Sequence, residues 1–229
     1  MTDRRSAVVL QHVAFEGPGA YARALLESGF DVHSWFVPSQ GLPDGDEDAL
    51  LVMGGPMSVH DPLPWIAGEI AYIRHAIQRE IPVLGVCLGS QLMACAVGGS
   101  VYPGDHAEIG LGEIETTDDG KRDPCFRVFP ESMTLIEWHG EGIFVPDACT
   151  ILAQSDSYPV QAFRTGKRAY GLVFHLELEE TDLATLCREC PRDVLTSGQK
   201  AVEIVAEARP YIPGLQGLAQ SFLKCMLQG

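Results

Sequence analysis

Short apolar strands alternate with helical segments over the first hundred residues, and this alternation restricts the possible folds more than any other feature. Helical patterns separate the strands; the clearest has isoleucines at spacings of four, three and four, namely Ile66, Ile70, Ile73 and Ile77. The strands are almost wholly apolar, which is typical of strands buried on both faces. We therefore predict an α/β fold with a mostly parallel sheet and helices on both faces. The predicted strands cover 6–14, 30–37, 49–55 and 81–87.

The second half of the chain is richer in strands. Segments 107–117 and 132–138 have strand character, and 160–175 predicts a hairpin that turns at Thr165-Gly166-Lys167. These segments predict extra antiparallel strands. From residue 179 the pattern is helical through Gln228, with breaks near Pro210 and Pro213. No linker or repeat divides the 229 residues, so we predict one domain, 1–190, with 191–229 as its C-terminal helical extension.

Composition excludes several classes of function. At 46 % hydrophobic residues the chain can bury a large core without disulfides or metal. With 16 basic and 31 acidic residues the net charge is −15, which disfavours nucleic-acid binding. No apolar run is long enough for a signal-peptide core or a membrane span, so we expect a cytoplasmic protein with no membrane association.

The seven cysteines have no spacing that predicts disulfides or a metal site. We expect free thiols, as in a reducing compartment. The pair Cys187-x-x-Cys190 lacks the second pair that a four-ligand zinc site needs, and we expect it on a helix surface.

A thiol lies at the junction of the fourth predicted strand and the helix that follows it. The segment Gly85-Val86-Cys87-Leu88-Gly89 has the form Gly-x-nucleophile-x-Gly, which is typical of a sharp strand-to-helix turn. Such a turn lifts the sulfur to the carboxyl edge of the sheet and places it at a helix N-terminus, which favours thiolate. The alternative is a buried, inert cysteine whose glycine neighbours serve packing.

A base and a pair of oxyanion donors can also be proposed from the residues. His175 ends a strand with Glu177 two positions on, so in an extended chain the carboxylate lies on the same side and can hold the imidazole. Gly55 follows the third strand, and its N–H together with that of Leu88 could bind an oxyanion. In isolation, a His-x-Glu pair is typical of a solvated surface, and the glycines around residue 55 are typical of any tight turn.

Four segments in this order, "MGGPMSV", "GVCLGSQLMA", "EWHGEGIFVP" and "YGLVFHLE", resemble class I, triad-type glutamine amidotransferases, in particular the amidotransferase domain of GMP synthases. The resemblance covers about residues 6–180. It implies a flavodoxin-like fold, hydrolysis of the glutamine side-chain amide to glutamate and ammonia, and no need for a metal or organic cofactor.

The resemblance also implies roles for individual residues. Cys87 is the nucleophile, His175 the base and general acid, and Glu177 the carboxylate that orients the imidazole. Two further groups take part, by the same resemblance: the oxyanion donors Gly55 and Leu88, and the substrate-binding residues Gln91, Gly140 and Glu141.

The chain departs from the family pattern at two points. Leu176 stands where the family usually has proline, and we expect the triad to survive with a less rigid turn. No synthase domain follows, and no phosphate-binding loop of the Walker type occurs, so a separate synthase subunit is a possible recipient of the ammonia.

Other functions remain open at the level of sequence. The same chemistry would serve a γ-glutamyl peptidase or hydrolase that acts on γ-glutamyl peptides or amines. A catalytically inactive regulatory or binding subunit is a second alternative, of a different class. Two other cysteine hydrolase families fit less well: α/β-hydrolases place the acid before the histidine, and DJ-1/PfpI-like proteins place histidine after the cysteine, where this chain has Leu88.

Overall fold

The computed structural model describes residues 5–228, so the outermost ends of the predicted domain, residues 1–4 and Gly229, lie outside the described range. Within that range nine strands form one sheet in the order β2-β1-β3-β4-β9-β8-β7-β5-β6. The strands are β1 Arg5–Gln11, β2 Phe30–Phe36, β3 Ala49–Val52, β4 Val83–Val86, β5 Ser100–Thr116, β6 Ser132–Phe144, β7 Thr150–Gln154, β8 Ala162–Thr165 and β9 Ala169–Leu172. The helices are α1 Gly19–Glu27, α2 Val37–Gln40, α3 Ile66–Gln78, α4 Leu88–Ala96, α5 Asp118–Arg122, α6 Glu180–Glu189, α7 Pro191–Ser197, α8 Ala201–Ala208 and α9 Ile212–Gln228.

The sheet has a parallel part and an antiparallel part. Strands β2, β1, β3, β4 and β9 are parallel to one another, and the remaining pairings, β9–β8, β8–β7, β7–β5 and β5–β6, are antiparallel. The predicted hairpin is present: β8 pairs with β9 and the turn lies at 166–168. The predicted α/β class, with antiparallel strands added in the second half, is confirmed.

Helices cover both faces, as the apolar strands predict. Along β1 successive side chains point to opposite faces, so Ala7 and Val9 join one core and Val8 and Leu10 join the other. Helices α1, α6, α8 and α9 pack on the first face, and α3 and α4 pack on the second.

Two strands end earlier than their apolar patterns predict. Strand β1 ends at Gln11, three residues before the predicted end, and β3 ends at Val52. In each case the chain leaves the sheet at its carboxyl edge, where parallel α/β sheets bind ligands. Residues 12–18 and 53–65 therefore form loops over that edge instead of extending the strands.

The C-terminal helices differ from prediction in where they break: the chain is also interrupted at Cys190 and at 198–200, and it is not interrupted at Pro213. The break lies at 209–211, as expected near Pro210, but Pro213 falls in the first turn of α9. A proline there costs no hydrogen bond, because the first N–H groups of a helix have no partner within it, so Pro213 starts this helix instead of interrupting one.

Two expectations about the cysteines are wrong. Cys125 and Cys225 form a disulfide, because α9 packs over the short 3-10 turn Phe126–Val128 and brings together thiols that are 100 positions apart. Cys187 and Cys190 are buried, since the end of α6 packs into the core instead of presenting both thiols to solvent.

None of the helices within residues 5–228 is both long enough and apolar enough to cross a bilayer.

Candidate active site

Cys87 lies at the sharp turn between β4 and α4. Its φ is +51° and its ψ is −113°. Residues other than glycine rarely adopt this backbone conformation, which costs on the order of 1–3 kcal/mol. The flanking glycines make the turn possible by allowing close packing. A Cβ on Gly85 would lie 2.6 Å from the carbonyl oxygen of Gly89, and one on Gly89 would collide with the carbonyl oxygen of Val52.

The sulfur of Cys87 faces a pocket of about 240 Å³ at the carboxyl edge of the sheet. Its thiol donates to the carbonyl oxygen of Trp138, with a sulfur–oxygen distance of 3.6 Å. Helix α4 begins at the next residue, so the partial positive charge of a helix N-terminus also acts on the sulfur. A cysteine in this position lines the pocket and lies at the N-terminus of a helix.

His175 and Glu177 follow β9 and form a buried pair. Nδ1 of His175 lies 2.7 Å from Oε1 of Glu177, and both residues are only 1 % exposed. The backbone of His175 is held as well, since its N–H donates to the carbonyl oxygen of Ile136 at 2.8 Å. The other ring nitrogen, Nε2, is buried and has no hydrogen-bond partner. The imidazole is thus oriented through one nitrogen and free at the other.

The charges around His175 favour its protonated form. Burial lowers its pKa, but the charge of Glu177 and the interaction with Cys87 raise it more strongly, so the pKa lies well above the ordinary value. A ring nitrogen of His175 and the sulfur of Cys87 lie within 4.8 Å of each other. Because Glu177 occupies Nδ1, the nitrogen available to the sulfur is Nε2. This arrangement suits a thiolate–imidazolium pair.

Glu16 is a third ionisable group at this point, and sequence reasoning missed it. A carboxylate oxygen of Glu16 lies within 4.8 Å of both the Cys87 sulfur and the His175 nitrogen. Burial raises the pKa of Glu16 to about 7; the charges of Glu177 and Asp193 also raise it, while His175 lowers it. No motif marks Glu16, but an acidic residue just after a strand that ends at the carboxyl edge of a parallel sheet is a signal that could have indicated it.

A second buried pair, also missed from the sequence, holds the loops beside the cysteine. Nε2 of His12 lies 3.0 Å from Oε1 of Glu69, and its Nδ1 donates to the carbonyl oxygen of Gly54 at 3.1 Å. A Cβ on Gly54 would collide with the Glu16 carboxylate, so this glycine lets the carboxylate approach the sulfur. The loops after β1 and β3 are thereby locked together.

The remaining predicted residues also converge on this place. Leu88 is buried, with its side chain packed beside the backbone of Gly55; His175 and Glu177 lie behind the pocket wall. The predicted residues that line the pocket itself are Gly55, Cys87, Gln91, Gly140 and Glu141.

A further imidazole, His139, lies in the same pocket wall. Its Nε2 is 3.1 Å from carboxylate oxygens of both Glu108 and Glu137, and its Nδ1 is 3.2 Å from the carbonyl oxygen of Glu141. Burial lowers the pKa of His139, but the hydrogen bonds to Glu108 and Glu137 outweigh it and raise the pKa to about 10. Unlike His175, this residue has both ring nitrogens occupied.

Within residues 5–228, two groups of side chains converge closely enough to hold a metal ion: Glu16, Cys87 and His175, and Glu108, Glu137 and His139. In the second group, Nε2 of His139 already contacts both carboxylates. The first combines a thiol, an imidazole and a carboxylate, which are also the groups that nucleophilic catalysis uses.

The model of the glutamine amidotransferase class-I family matches residues 20–188 of the sequence. The chain belongs to this family. Glutamine amidotransferase-like protein YfeJ of Salmonella typhimurium is 31 % identical over 210 residues, which cover 87 % of each chain. The glutamine-hydrolyzing GMP synthase of Lacticaseibacillus casei is 37 % identical over 134 residues, which cover 58 % of this chain but only 25 % of that enzyme.

Solved structures agree with this assignment. A glutamine amidotransferase from Thermotoga maritima superposes with a TM-score of 0.88 at 27 % identity, over 99 % of this chain and 100 % of that one. The likeness therefore includes the C-terminal helices, which lie beyond the residues that the family model matches.

In this member of the class-I glutamine amidotransferase family, Leu176 stands where the family pattern has proline, and it makes a hydrogen bond that proline could not make. The backbone N–H of Leu176 donates to Oε2 of Glu177 at 3.0 Å. Proline has no N–H and could not make this bond. Leucine at this position therefore adds a second restraint on the carboxylate that holds His175.

Proposed function

We propose that the chain hydrolyses the side-chain amide of glutamine, giving glutamate and ammonia through a cysteinyl thioester. One observation carries the proposal: the sulfur of Cys87 and a ring nitrogen of His175 lie within 4.8 Å, while Glu177 holds the opposite nitrogen at 2.7 Å. Nucleophile, base and orienting carboxylate in this geometry are the requirements of a catalytic triad.

The first half of the reaction forms the thioester. The thiolate of Cys87 attacks the amide carbon, a carbon–sulfur bond forms, and negative charge collects on the amide oxygen. The backbone N–H groups of Gly55 and Leu88 are the donors proposed for that oxygen, and one such donor is worth about 3 kcal/mol. The imidazolium of His175 then protonates the nitrogen, the carbon–nitrogen bond breaks, and ammonia leaves.

The second half regenerates the enzyme. His175, now neutral, takes a proton from water, and the oxygen attacks the thioester carbon. The carbon–sulfur bond breaks, glutamate is released, and the thiolate returns beside the imidazolium. The proton given to ammonia and the proton taken from water both pass through the Nε2 of His175, the ring nitrogen that has no other partner, and the carboxyl proton of the product dissociates to solvent.

Substrate binding is assigned to residues on the other side of the pocket. Gln91 lies one turn into α4 from the cysteine, and Gly140 and Glu141 lie in the opposite wall, on β6. We propose that the Gln91 side chain and the main chain at 140–141 hold the α-amino and α-carboxyl end of glutamine. The carboxylate of Glu141 is itself fixed by Ser58, whose hydroxyl donates to it at 2.8 Å.

The assay is glutamate formation from glutamine, with wild type compared with Cys87→Ala. We expect the variant to lose at least about 10⁴-fold in kcat, because Cys87 is the thiol that lies beside a ring nitrogen of His175. Cys149→Ala is the matched control, since this half-buried thiol lies outside the pocket lining, and it should keep wild-type activity. Equal rates for wild type and Cys87→Ala would refute the proposal, and a wild type without hydrolysis would favour an inactive binding subunit.

The relatives suggest where the ammonia goes. The chain matches a quarter of the GMP synthase from Lacticaseibacillus casei, so the part that would consume ammonia has no counterpart in the matched segment. We propose a separate synthase subunit as the acceptor. If the isolated chain releases ammonia and glutamate to solution in equal amounts, it hydrolyses glutamine without such a subunit.

We also propose that residues 191–229 belong to the same domain as the triad. Phe222 of α9 shares one core with Tyr21 of α1, and α7 contributes Asp193 and Thr196 to the pocket lining. A chain truncated after residue 190 is expected to be destabilised and inactive, as measured by urea unfolding and by the glutaminase assay.

A further inference from the structure

The leaving nitrogen of the substrate must occupy a defined place in this pocket, and the argument rests on the proposed hydrolysis. While the sulfur of Cys87 holds the reacting carbon, the nitrogen has to reach the Nε2 of His175 to take its proton. It therefore lies in the space between the sulfur and that ring nitrogen. Whatever else borders this space contacts the leaving group.

Glu16 borders that space. Its carboxylate oxygen lies within 4.8 Å of both the sulfur and the His175 nitrogen. The side chain is buried, and it lies against Gly54, where any larger residue would displace it. The carboxylate is thus held beside the place of the leaving nitrogen.

Asp193 extends this acidic wall. It lines the same pocket, and its carboxylate is held by the indole N–H of Trp138 at 3.0 Å, while the carbonyl oxygen of Trp138 accepts from Cys87. Asp193 is also close enough for its charge to raise the pKa of Glu16. Among the described residues that line the pocket there is no lysine or arginine. Besides the imidazole of His175, the ionisable side chains on the leaving-group side are therefore two carboxylates, and Glu16 is charged above its pKa of about 7.

We propose that Glu16 and Asp193 form the leaving-group subsite, and that they select γ-glutamyl substrates whose leaving nitrogen carries hydrogen or a cationic substituent. A carboxylate accepts N–H bonds from ammonia or an amine, and it attracts a positive charge placed beyond the nitrogen. A γ-glutamyl peptide releases an amino acid whose carboxylate would lie against two like charges in a partly desolvated pocket, which is unfavourable. The subsite thus admits glutamine and γ-glutamyl diamines and rejects γ-glutamyl peptides.

Three substrates of equal leaving-group length test this selection: γ-glutamyl-n-propylamide, which is neutral, γ-glutamyl-1,2-diaminoethane, which is cationic, and γ-glutamylglycine, which is anionic. The measurement is kcat/KM for each, with glutamine as reference, for wild type, Glu16→Gln and Asp193→Asn. Glu207→Gln is the matched control, since it removes one exposed charge outside the pocket lining.

For wild type we expect the cationic substrate to exceed the anionic one by on the order of 100-fold in kcat/KM. Glu16→Gln should reduce that ratio by about tenfold, because glutamine keeps an acceptor oxygen and loses the charge. Asp193→Asn should reduce it by less, about threefold, since Asp193 is more exposed and its charge is more screened. Glu207→Gln should leave the ratio unchanged.

The ratio of kcat/KM for the cationic substrate to kcat/KM for the anionic substrate separates a role in selection from a structural role. A purely structural effect of Glu16→Gln would lower all three values together and leave the ratio as in wild type, and that result overturns this inference. A wild type that prefers γ-glutamylglycine also overturns it, while the proposed hydrolysis stands. If wild type hydrolyses neither glutamine nor any γ-glutamyl substrate, both the proposed function and this inference fail.

Discussion

Three His-x-Glu segments occur in the chain, and in two of them the histidine is buried. These two, His139-Gly140-Glu141 and His175-Leu176-Glu177, form different structures. In both, the histidine is buried next to the same pocket and carboxylates raise its pKa. In the second segment the glutamate binds its own histidine at 2.7 Å. In the first, the Glu141 carboxylate turns to Ser58, and only its backbone carbonyl contacts His139.

The difference comes from the strands around each segment. His139 lies within β6, where Glu137 is on the same face two residues earlier and Glu108 is directly opposite on β5. These carboxylates share one ring nitrogen of His139, and a backbone carbonyl takes the other. His175 lies past the end of β9, and the hydrogen bond from its N–H to Ile136 of β6 holds only its backbone. Of these two histidines, His175 is therefore the one with an unpaired ring nitrogen, and proton transfer requires such a nitrogen.

The largest effects are expected when each of the two histidines is replaced by glutamine. His175→Gln should lower kcat for glutamine hydrolysis by about 10³-fold or more, because it removes the group that transfers protons. His139→Gln should lower kcat by less than about tenfold. Its main effect should be on stability, a loss of about 3–5 kcal/mol in the free energy of unfolding, since it leaves buried Glu137 without its charged partner.

Steady-state kinetics and urea unfolding on both variants measure these effects. A larger loss of kcat in His139→Gln than in His175→Gln would reverse the roles assigned to the two imidazoles.

The next test exchanges the two glutamates. Glu177→Gln should reduce kcat by on the order of 10²–10⁴-fold, because an amide orients the imidazole less well and does not stabilise its charge. Glu141→Gln should change kcat/KM by less than about tenfold, since the proposed substrate contact is through the main chain and only the hydrogen bond from Ser58 is weakened. Similar losses in the two variants would contradict the distinction.

The pH dependence of stability gives a third test. The pKa of His139 rises from 6.5 to about 10 on folding, so between these values the folded chain holds a proton that the unfolded chain has released. Its stabilising contribution is complete below pH 6.5 and is lost as pH rises towards 10, at up to about 1.4 kcal/mol per pH unit.

The free energy of unfolding, measured in urea at pH 7, 8 and 9, should therefore fall more steeply in wild type than in His139→Gln. His175, whose pKa is also raised, contributes a slope of the same sign that the variant retains. Parallel slopes in the two proteins would show that His139 is not protonated above pH 7.

The smallest expected effect concerns the residue between His175 and Glu177. Leu176→Pro removes the N–H that donates to Glu177 and should lower kcat by at most about tenfold, with KM unchanged. Leu176→Met keeps both the N–H and a similar volume, and should match wild type. A loss in Leu176→Met as large as in Leu176→Pro would assign the effect to packing instead of the hydrogen bond.

Much of the site could be predicted because its elements are local. The turn at Cys87 depends on glycines two positions away, and the pairing of His175 with Glu177 depends on an i to i+2 spacing. Glu16 and Asp193 could not be predicted in this way. Each reaches the pocket from a different element. For Glu16 the only local signal is its position after a strand, and Asp193, in an exposed helix, has no local pattern that marks it.

The sequence by itself determined the α/β class, the approximate positions of most strands and helices, and the residues proposed for the reacting centre, because periodicity and short-range spacing are written in consecutive residues. Only the tertiary structure decided which His-x-Glu segment keeps a free nitrogen, which carboxylates line the leaving-group side, and which cysteines pair. These outcomes depend on contacts between strands and helices that are far apart in the chain. The strength of each contact depends on its burial and on its partners, which no local spacing reveals.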